Sequence, residues 1–433
     1  MANLSRANSS ASGTTATVSA WVKKVDTSGD EGIFQFKTGN DQIAFYINPI
    51  VKFRSNISGG TSNGILESNR KIRDFSGWFH VVGTIDTTNA TAGDRLRVYV
   101  NGERVTSWGT ETYPSQNYSF TPVSGGEFQL GKYTTTDAPT YLAHVHYCDG
   151  YAYNADSFGS TDSTTGEWKI NTQPNVQYGS NGVFLKFASS GAMGTDSSGN
   201  NNTMSISGSC IQTQDNPSNN FCTFNPLFRQ VDTGTSKGNT KFETTSGSGW
   251  KTMCGTLGME KNTGKYYMEF KNLGGNVGFG IADYTTGGVV DKVNRATSTY
   301  AGNNANSYGY LLQGEFFYNG SYTASGWASY TTNDIIGMAV DMENMKIYFH
   351  KNGTYQNSGN PTAGSGGYTI ADPVGAYLPV GSVNAGILCA NFGNGYFETT
   401  AISSEGTNAS NIGKFEYDVP TGFTALSTKG LNL

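Results

Sequence analysis

The sequence predicts an all-β chain built as two β-sandwich domains of the jelly-roll type in tandem. Three observations carry this. Short runs rich in β-branched and aromatic residues alternate apolar with polar positions, the period-2 pattern of half-buried strands. Glycine and asparagine punctuate those runs, and Gly alone fills 57 of the 433 positions. No window holds a helical period with caps at its ends. The polar composition is not that of a disordered chain, because 24 Phe and 25 Tyr supply ample core material. At 433 residues the chain is too long for one ordinary core.

The first strands are predicted at 16–25 (ATVSAWVKKV), 32–36 and 42–47. The run 78–86 follows. In it Phe79, Val81 and Ile85 share one face with Gly83, while His80, Val82, Thr84 and Asp86 share the other. The run 95–100 alternates again, with Leu96, Val98 and Val100 inward and Arg95, Arg97 and Tyr99 outward. It ends at Asn101-Gly102, the dipeptide best suited to a type I′ hairpin, where both central residues need positive φ. The same unit recurs: 334–341 ends in Asp341, and 346–351 runs into Asn352-Gly353. Further strands are predicted at 266–270, 277–281, 308–312 and 386–392. The repeat is too widely spaced for a solenoid, so each unit belongs to its own sandwich. The first domain is placed at 1–188, a polar joint at 189–220 and the second domain at 221–433, with 203–207 able to add a closing strand to the first.

Charge excludes two partner classes. With a net charge of −5 and a pI of 5.5 there is no basic footprint for nucleic acid or anionic lipid. No apolar run approaches the length of a membrane span. Residues 1–19 are polar and hold no export-signal core, so a protein built for the outside is expected to be made in a host cytoplasm and released by lysis. The five cysteines form no C-x-x-C, and free thiols are expected. Cys148 and Cys389 fall within strand-like runs and are expected to be buried; Cys210 and Cys222 are the pair that could meet across a loop.

Two resemblances rest on these runs. Residues 1–188 resemble the laminin-G-like, concanavalin-A-type jelly roll through Val18-Ser-Ala-Trp-Val22, Trp78-Phe-His-Val-Val82, Val98-Tyr-Val-Asn-Gly102, Gly131-Lys132 and Ala143-His-Val-His-Tyr-Cys-Asp-Gly150, leading to Ser157-Phe-Gly159. Residues from about 240 onward resemble a SPRY-type sandwich through Gly264-Lys-Tyr-Tyr-Met-Glu-Phe270, Val277-Gly-Phe-Gly-Ile281, Asp341, Ile347-Tyr-Phe-His-Lys-Asn-Gly353 and Ala390-Asn-Phe-Gly393. The joint and tail, Asp196-Ser-Ser-Gly-Asn-Asn-Asn202, Asp215-Asn-Pro-Ser-Asn-Asn-Phe221, Phe224-Asn-Pro-Leu227, Val419-Pro-Thr-Gly-Phe423 and Ala425-Leu426, are similar to structural proteins of marine tailed phages in which a laminin-G-like domain precedes a SPRY-like one. This resemblance implies a virion component, on tail fibre, spike or capsid. Other virion proteins are then the expected partners; a host-surface glycan is the ligand that exposed aromatic loops would suit, and low charge with many aromatics predicts a homo-oligomer or a particle-bound chain. Ala143-His144 stands where an acidic residue is common in the pattern, which weakens a cation site there.

Concanavalin-type sandwiches include glucanases, so hydrolysis has to be weighed. A retaining glycosidase needs two carboxyls about 5–5.5 Å apart. No E-x-D-x-E occurs; Glu127, Glu269 and Glu398 stand alone on strand-like runs, and Asp341 and Glu343 flank a turn. His144 and His146 share a strand face and with His80 number three imidazoles, but no Cys or acid is near to complete a metal site, and satisfied histidines are the commoner outcome. The oxygen-rich loops 26–31 and 196–200 could hold Ca²⁺, the one cofactor the chain suggests, although turns of this composition are more often ordinary turns. Gly274, Gly275, Gly278 and Gly280 have no Gly-Lys-Ser/Thr after them, and no G-x-S-x-G elbow supports a serine nucleophile. No catalytic residue is assigned.

What remains is aromatic surface. Trp108, Tyr113 and Tyr118 are read as a loop after the first hairpin, and Tyr318, Tyr322, Trp327 and Tyr330 as a Gly/Ser-rich loop of the second domain. The candidate ligand-binding residues are Trp327, Tyr330, Tyr322, Trp108, Tyr113 and Tyr118, since aromatic rings beside amides suit sugars and protein surfaces alike. Trp327 and Tyr330 lead, because Gly326 and Ala328 flank Trp327 with small neighbours. Packing of these rings under their own loops is the competing expectation. Architectural decoration without a ligand is the alternative function, and a polysaccharide hydrolase the remote one.

Overall fold

The computed structural model describes residues 2–25, 29–56, 63–230, 232–283, 299–324 and 326–432. It is nearly all-β, with sandwich sheets. The chain divides into Met1–Gln212 and Thr213–Leu433, a division inside the polar stretch 189–220. That stretch is more than a linker: Met193 and Met204 are buried, and Ser205–Ser207 pairs antiparallel with Asn3–Ser5 as a closing edge strand.

In the first unit an eight-stranded sheet runs in the order Trp108–Thr112, Ile65–Lys71, Ile50–Asn56, Asp41–Asn48, Glu31–Thr38, Glu127–Leu130, Asn3–Ala7, Ser205–Ser207. A six-stranded sheet runs Val183–Leu185, Tyr141–Asp149, Thr15–Lys23, Trp78–Asp86, Leu96–Val100, Glu103–Arg104. The predicted alternation holds. Phe79, Val81, Ile85, Leu96, Val98 and Val100 enter one core with Phe34, Phe45 and Phe53, while Val82 and Tyr99 face the other way into a second cluster with Cys148, Ala155 and Phe158. Gly83 makes room for the stacked Phe34–Phe45 pair, since a Cβ there would lie 3.0 Å from the Phe34 ring.

The second unit is organised by two long strands, Lys265–Asp283 and Tyr377–Asn391, which pair with each other along their length. The sequence predicts two strands at 266–270 and 277–281; the chain instead passes through Gly274 and Gly275, at φ 143° and 71°, and continues as one bulged strand. Its first half pairs with Ile335–Asp341, and its second half with Ser307–Leu311. Likewise 386–392 is largely the end of Tyr377–Asn391.

Both predicted hairpins form. Asn101 and Gly102 take φ 48° and 81°, and Asn352 and Gly353 take 47° and 85°. In each, the turn asparagine also accepts a bond from the preceding strand, Asn101 Oδ1 from the His80 N–H and Asn352 Oδ1 from the Ile335 N–H, both at 2.8 Å. One short sequence device thus fixes turn, register and strand start in both units.

Candidate functional site

A third hairpin of the same kind presents the most exposed aromatic among the candidates. Asn319 and Gly320, at φ 53° and 72°, join Glu315–Tyr318 to Ser321–Ala324. That register sets Phe317 opposite Tyr322. The Tyr322 ring is 50% exposed and lies 5.7 Å from Phe317, which lies 5.3 Å from Tyr300, itself 5.5 Å from Trp250. All but Tyr322 are half-buried, so the rings form a continuous aromatic strip ending in an open face. Asn319 and Ser321 beside it are exposed and uncharged. The Asn-Gly step at 319–320 was the available sequence signal for this hairpin.

The other predicted rings are placed differently. Tyr330 is 1% exposed, and its hydroxyl donates to the carbonyls of Tyr310 and Val277 at 2.9 and 3.1 Å. It is a core residue, because a ring flanked by this much apolar surface gains more from burial than from water. Trp327 is half-buried, and its small sequence neighbours do not leave it open: Phe316 stacks on it at 5.1 Å, with Tyr310 at 4.9 Å and Tyr368 at 5.7 Å around it. Trp108 is not in a loop; Trp108–Thr112 is an edge strand paired to Ile65–Lys71. Trp108, Tyr113 and Tyr118 all pack against the first core. Tyr118 accepts from Asn63 at 2.7 Å, and Tyr113 donates to Glu111 at 3.0 Å. Burial first, then the Glu111 carboxylate, pushes Tyr113 up to about 12.

The comparisons agree with this architecture. The Laminin_G_3 family model, described as the concanavalin A-like lectin/glucanases superfamily, matches residues 2–148, and the SPRY domain model matches residues 265–393. The chain carries a concanavalin A-like domain followed by a SPRY domain. Among solved structures it is similar to a human SPRY domain at 13% identity, covering 37% of this chain and 94% of that one with a TM-score of 0.28. The SPRY domain of human HERC1 is matched at 15% identity over 39% of this chain and 96% of that one, TM-score 0.28. A heptameric SAP-like pentraxin from Limulus polyphemus is matched at 12% identity over 42% and 88%, TM-score 0.29. No curated protein matches the chain. Concanavalin A-like and SPRY domains are typically non-catalytic binding domains.

In the SPRY domain Glu269 is fully buried, and its carboxylate accepts four bonds: from the Tyr417 N–H at 2.8 Å, Glu416 N–H at 2.9 Å, Tyr267 hydroxyl at 3.1 Å and Asn391 amide at 3.2 Å. Burial pushes it up to about 7 against the pull of those bonds. The Gly353 N–H donates to His350 Nδ1, so His350 Nε2 carries the proton and donates to Tyr267, 2.7 Å away. This hydrogen-bonded chain fastens the segment at 414–417 to the sheet. Asp341 caps its own turn through Glu343 N, Asn344 N and the Asn344 amide, and pairs with Lys265 at 3.1 Å. Glu398, predicted on a strand, sits at φ 56° in a turn and pairs with Lys241 at 3.4 Å. A cleft of about 520 Å³ is lined by Gly326, Lys351, Asn352, Tyr355 and Gln356; Lys351 bonds Ser329 O and Asp334 and Gln356 the Ala328 N–H, while the buried Tyr355 hydroxyl has no hydrogen-bond partner among the described residues.

In the concanavalin A-like domain Ser19 Oγ lies 2.7 Å from His80 Nε2, which looks like a nucleophile and its base. The proton is on the wrong side. The Trp168 indole N–H, a donor only, points at His80 Nδ1 at 3.1 Å, so Nε2 holds the hydrogen and Ser19 accepts it. Ser19 is therefore not activated. Among the described residues no group of three His, Cys, Asp or Glu is placed to hold a metal ion. The Asp196 carboxylate accepts from Phe184 N, Ser198 N, Ser198 Oγ and Asn202 N, which fills the lone pairs a cation at 196–200 would need. Of the other candidate loop, 26–28 lie outside the described residues. No disulfide forms among the five cysteines, and Cys210 and Cys222 do not pair with each other.

Proposed function

We propose that this protein is a non-catalytic surface component of a phage virion that binds an uncharged ligand, a host-envelope glycan, through the aromatic strip of its SPRY domain. The observation that carries the reading is the half-exposed Tyr322 ring at the end of the Phe317–Tyr300–Trp250 row, beside uncharged polar side chains. A flat ring with a free face next to hydroxyl and amide groups suits a sugar ring, which is apolar on its faces and polar at its rim. The low charge of the chain, 14% of residues, and the order of its segments support the particle assignment. In this reading it works with other virion proteins, as a homo-oligomer or bound in the particle, needs no cofactor, and leaves the cell by lysis.

A purely architectural role has one observation in its favour. Leu227 and Phe228, adjacent on the strand Phe224–Arg229 at the edge of its sheet, are 51% and 38% exposed. Such a pair suits burial at a subunit contact. Gold-labelled antibody against the chain, applied to particles purified from the lysate, tests the assignment. Label on intact particles is expected, and the chain recovered only as soluble protein in the particle-free supernatant would overturn it.

A further inference from the structure

The outer face of the six-stranded sheet in the first domain is not open. Residues 150–178 lie across it and are held by specific bonds. Thr17 Oγ1 donates to Tyr151 O and accepts from Tyr153 N, both at 2.8 Å. Thr84 Oγ1 donates to Tyr153 O at 2.7 Å, and the Tyr99 hydroxyl to Asn154 Oδ1 at 2.7 Å. Beneath this strap sit two imidazoles, His80 and His146, both essentially buried. Each meets the strap through one ring nitrogen: His80 Nδ1 receives the Trp168 indole N–H at 3.1 Å, and His146 Nδ1 lies 2.9 Å from the Tyr178 hydroxyl.

The contact to Trp168 needs a neutral His80 ring, and the surroundings of His146 favour a neutral one. An indole N–H cannot accept, so a proton on His80 Nδ1 would set donor against donor and break the bond to Trp168. His146 is stacked on Phe184 at 4.1 Å, with Phe158 at 5.2 Å, surroundings that cannot solvate a charge. The titratable groups around the pair offer no compensation. Lys186 and His144 repel a positive charge on His146, as the two buried rings repel each other. Burial raises Cys148 and Tyr178 and so keeps both neutral, and Asp196 acts on Tyr178. The strand Thr15–Lys23 contributes Ser19 and Trp21, and Leu96–Val100 contributes Tyr99. Among the described residues no carboxylate pairs with either imidazole.

We propose that residues 150–178 are an acid-released latch, held closed by neutral His80 and His146 and opened by their protonation to uncover the outer face of the sheet. Burial supports the direction, since it holds His80 down at about 3 and His146 well below the usual histidine value of 6.5. The sign follows. A histidine lowered in the closed state and ordinary in the open one stabilises closure fully above about pH 6.5, and that stabilisation is lost as pH falls. With both rings counted, opening is favoured by up to about 100-fold for each pH unit below 6.5, until the closed-state values are reached.

Cys148 reports the state, because it lies on the covered face packed with Ala155 and Phe158 and has no exposure when the strap is closed. Its modification by dithiodipyridine, which remains reactive toward thiols in acid, would be followed on the full chain from pH 7.5 to 4. The rate is taken relative to free cysteine at each pH, and each site is read by peptide mass spectrometry. The expected result is a steep rise at Cys148 below pH 6 while Cys389 and Cys254, buried in the second domain, stay protected and the β circular dichroism persists. His146→Phe is expected to reduce the slope to about 10-fold per pH unit, and its combination with His80→Gln, which keeps an acceptor and a donor, to abolish it. Trp168→Phe is expected to raise Cys148 reactivity already at pH 7.5. Protection of Cys148 down to pH 4, simultaneous reaction of Cys148 and Cys389, or an unchanged slope in the double variant would each overturn the proposal.

Discussion

Tyr330→Ala is expected to lower the melting temperature of the SPRY domain by roughly 10 °C or more, and to change ligand binding only through loss of folded protein. The ring is stacked on Phe279 at 5.9 Å and edge-on to Tyr310 at 5.1 Å, within the main core of that domain. Truncating a buried aromatic costs about 3–5 kcal/mol, because the transfer energy is lost and a cavity remains. Two carbonyls, of Val277 and Tyr310, also lose a shared donor. Thermal melting followed by circular dichroism checks this. An unchanged melting temperature with abolished binding would return Tyr330 to the ligand surface.

Glu269→Leu is expected to destabilise the same domain by about 3–5 kcal/mol, although Leu is close to it in size and apolar. The cost lies with the partners. Two backbone N–H groups, an amide and a phenol all aim at the carboxylate, and each loses that acceptor once it is gone. Replacing one member of a satisfied buried network is far worse than never having had it. The segment at 414–417 should be the first to loosen, seen as faster amide exchange at Glu416 and Tyr417 in the variant. Wild-type melting with unaltered exchange at these two amides would show that the network holds nothing.

The fold was largely legible because its signals are local. Period-2 alternation assigned the faces of 78–86 and 96–100, and Asn101-Gly102 and Asn352-Gly353 fixed two hairpins, since positive φ at both turn positions is a property of those residue types. What escaped is set by distant partners. Ile50–Asn56, Ile65–Lys71 and Trp108–Thr112 are polar enough to pass for loops, and only their pairing makes them strands. The bend at Gly274–Gly275 looked like a strand break, because composition cannot distinguish a bulge from a turn. The aromatic residues show the same limit: Tyr322, Trp327 and Tyr330 lie within nine positions and share a chemistry, yet one is exposed, one half-buried and one in the core. Nothing local separates them. The burial of Glu269 was equally unreadable, since its four donors lie 2 to 148 positions away.

Binding of wild type and Tyr322→Ala to purified neutral bacterial envelope polysaccharides, lipid-free O-antigen chains among them, immobilised and read by interferometry, tests the ligand surface most directly. Wild type is expected to hold at least one of these glycans. Tyr322→Ala should bind it roughly 30-fold more weakly, the loss of about 2 kcal/mol expected for a hot-spot aromatic, with an unchanged melting temperature because the ring is half exposed. Equal binding by the two proteins, or no glycan bound by wild type, would contradict it.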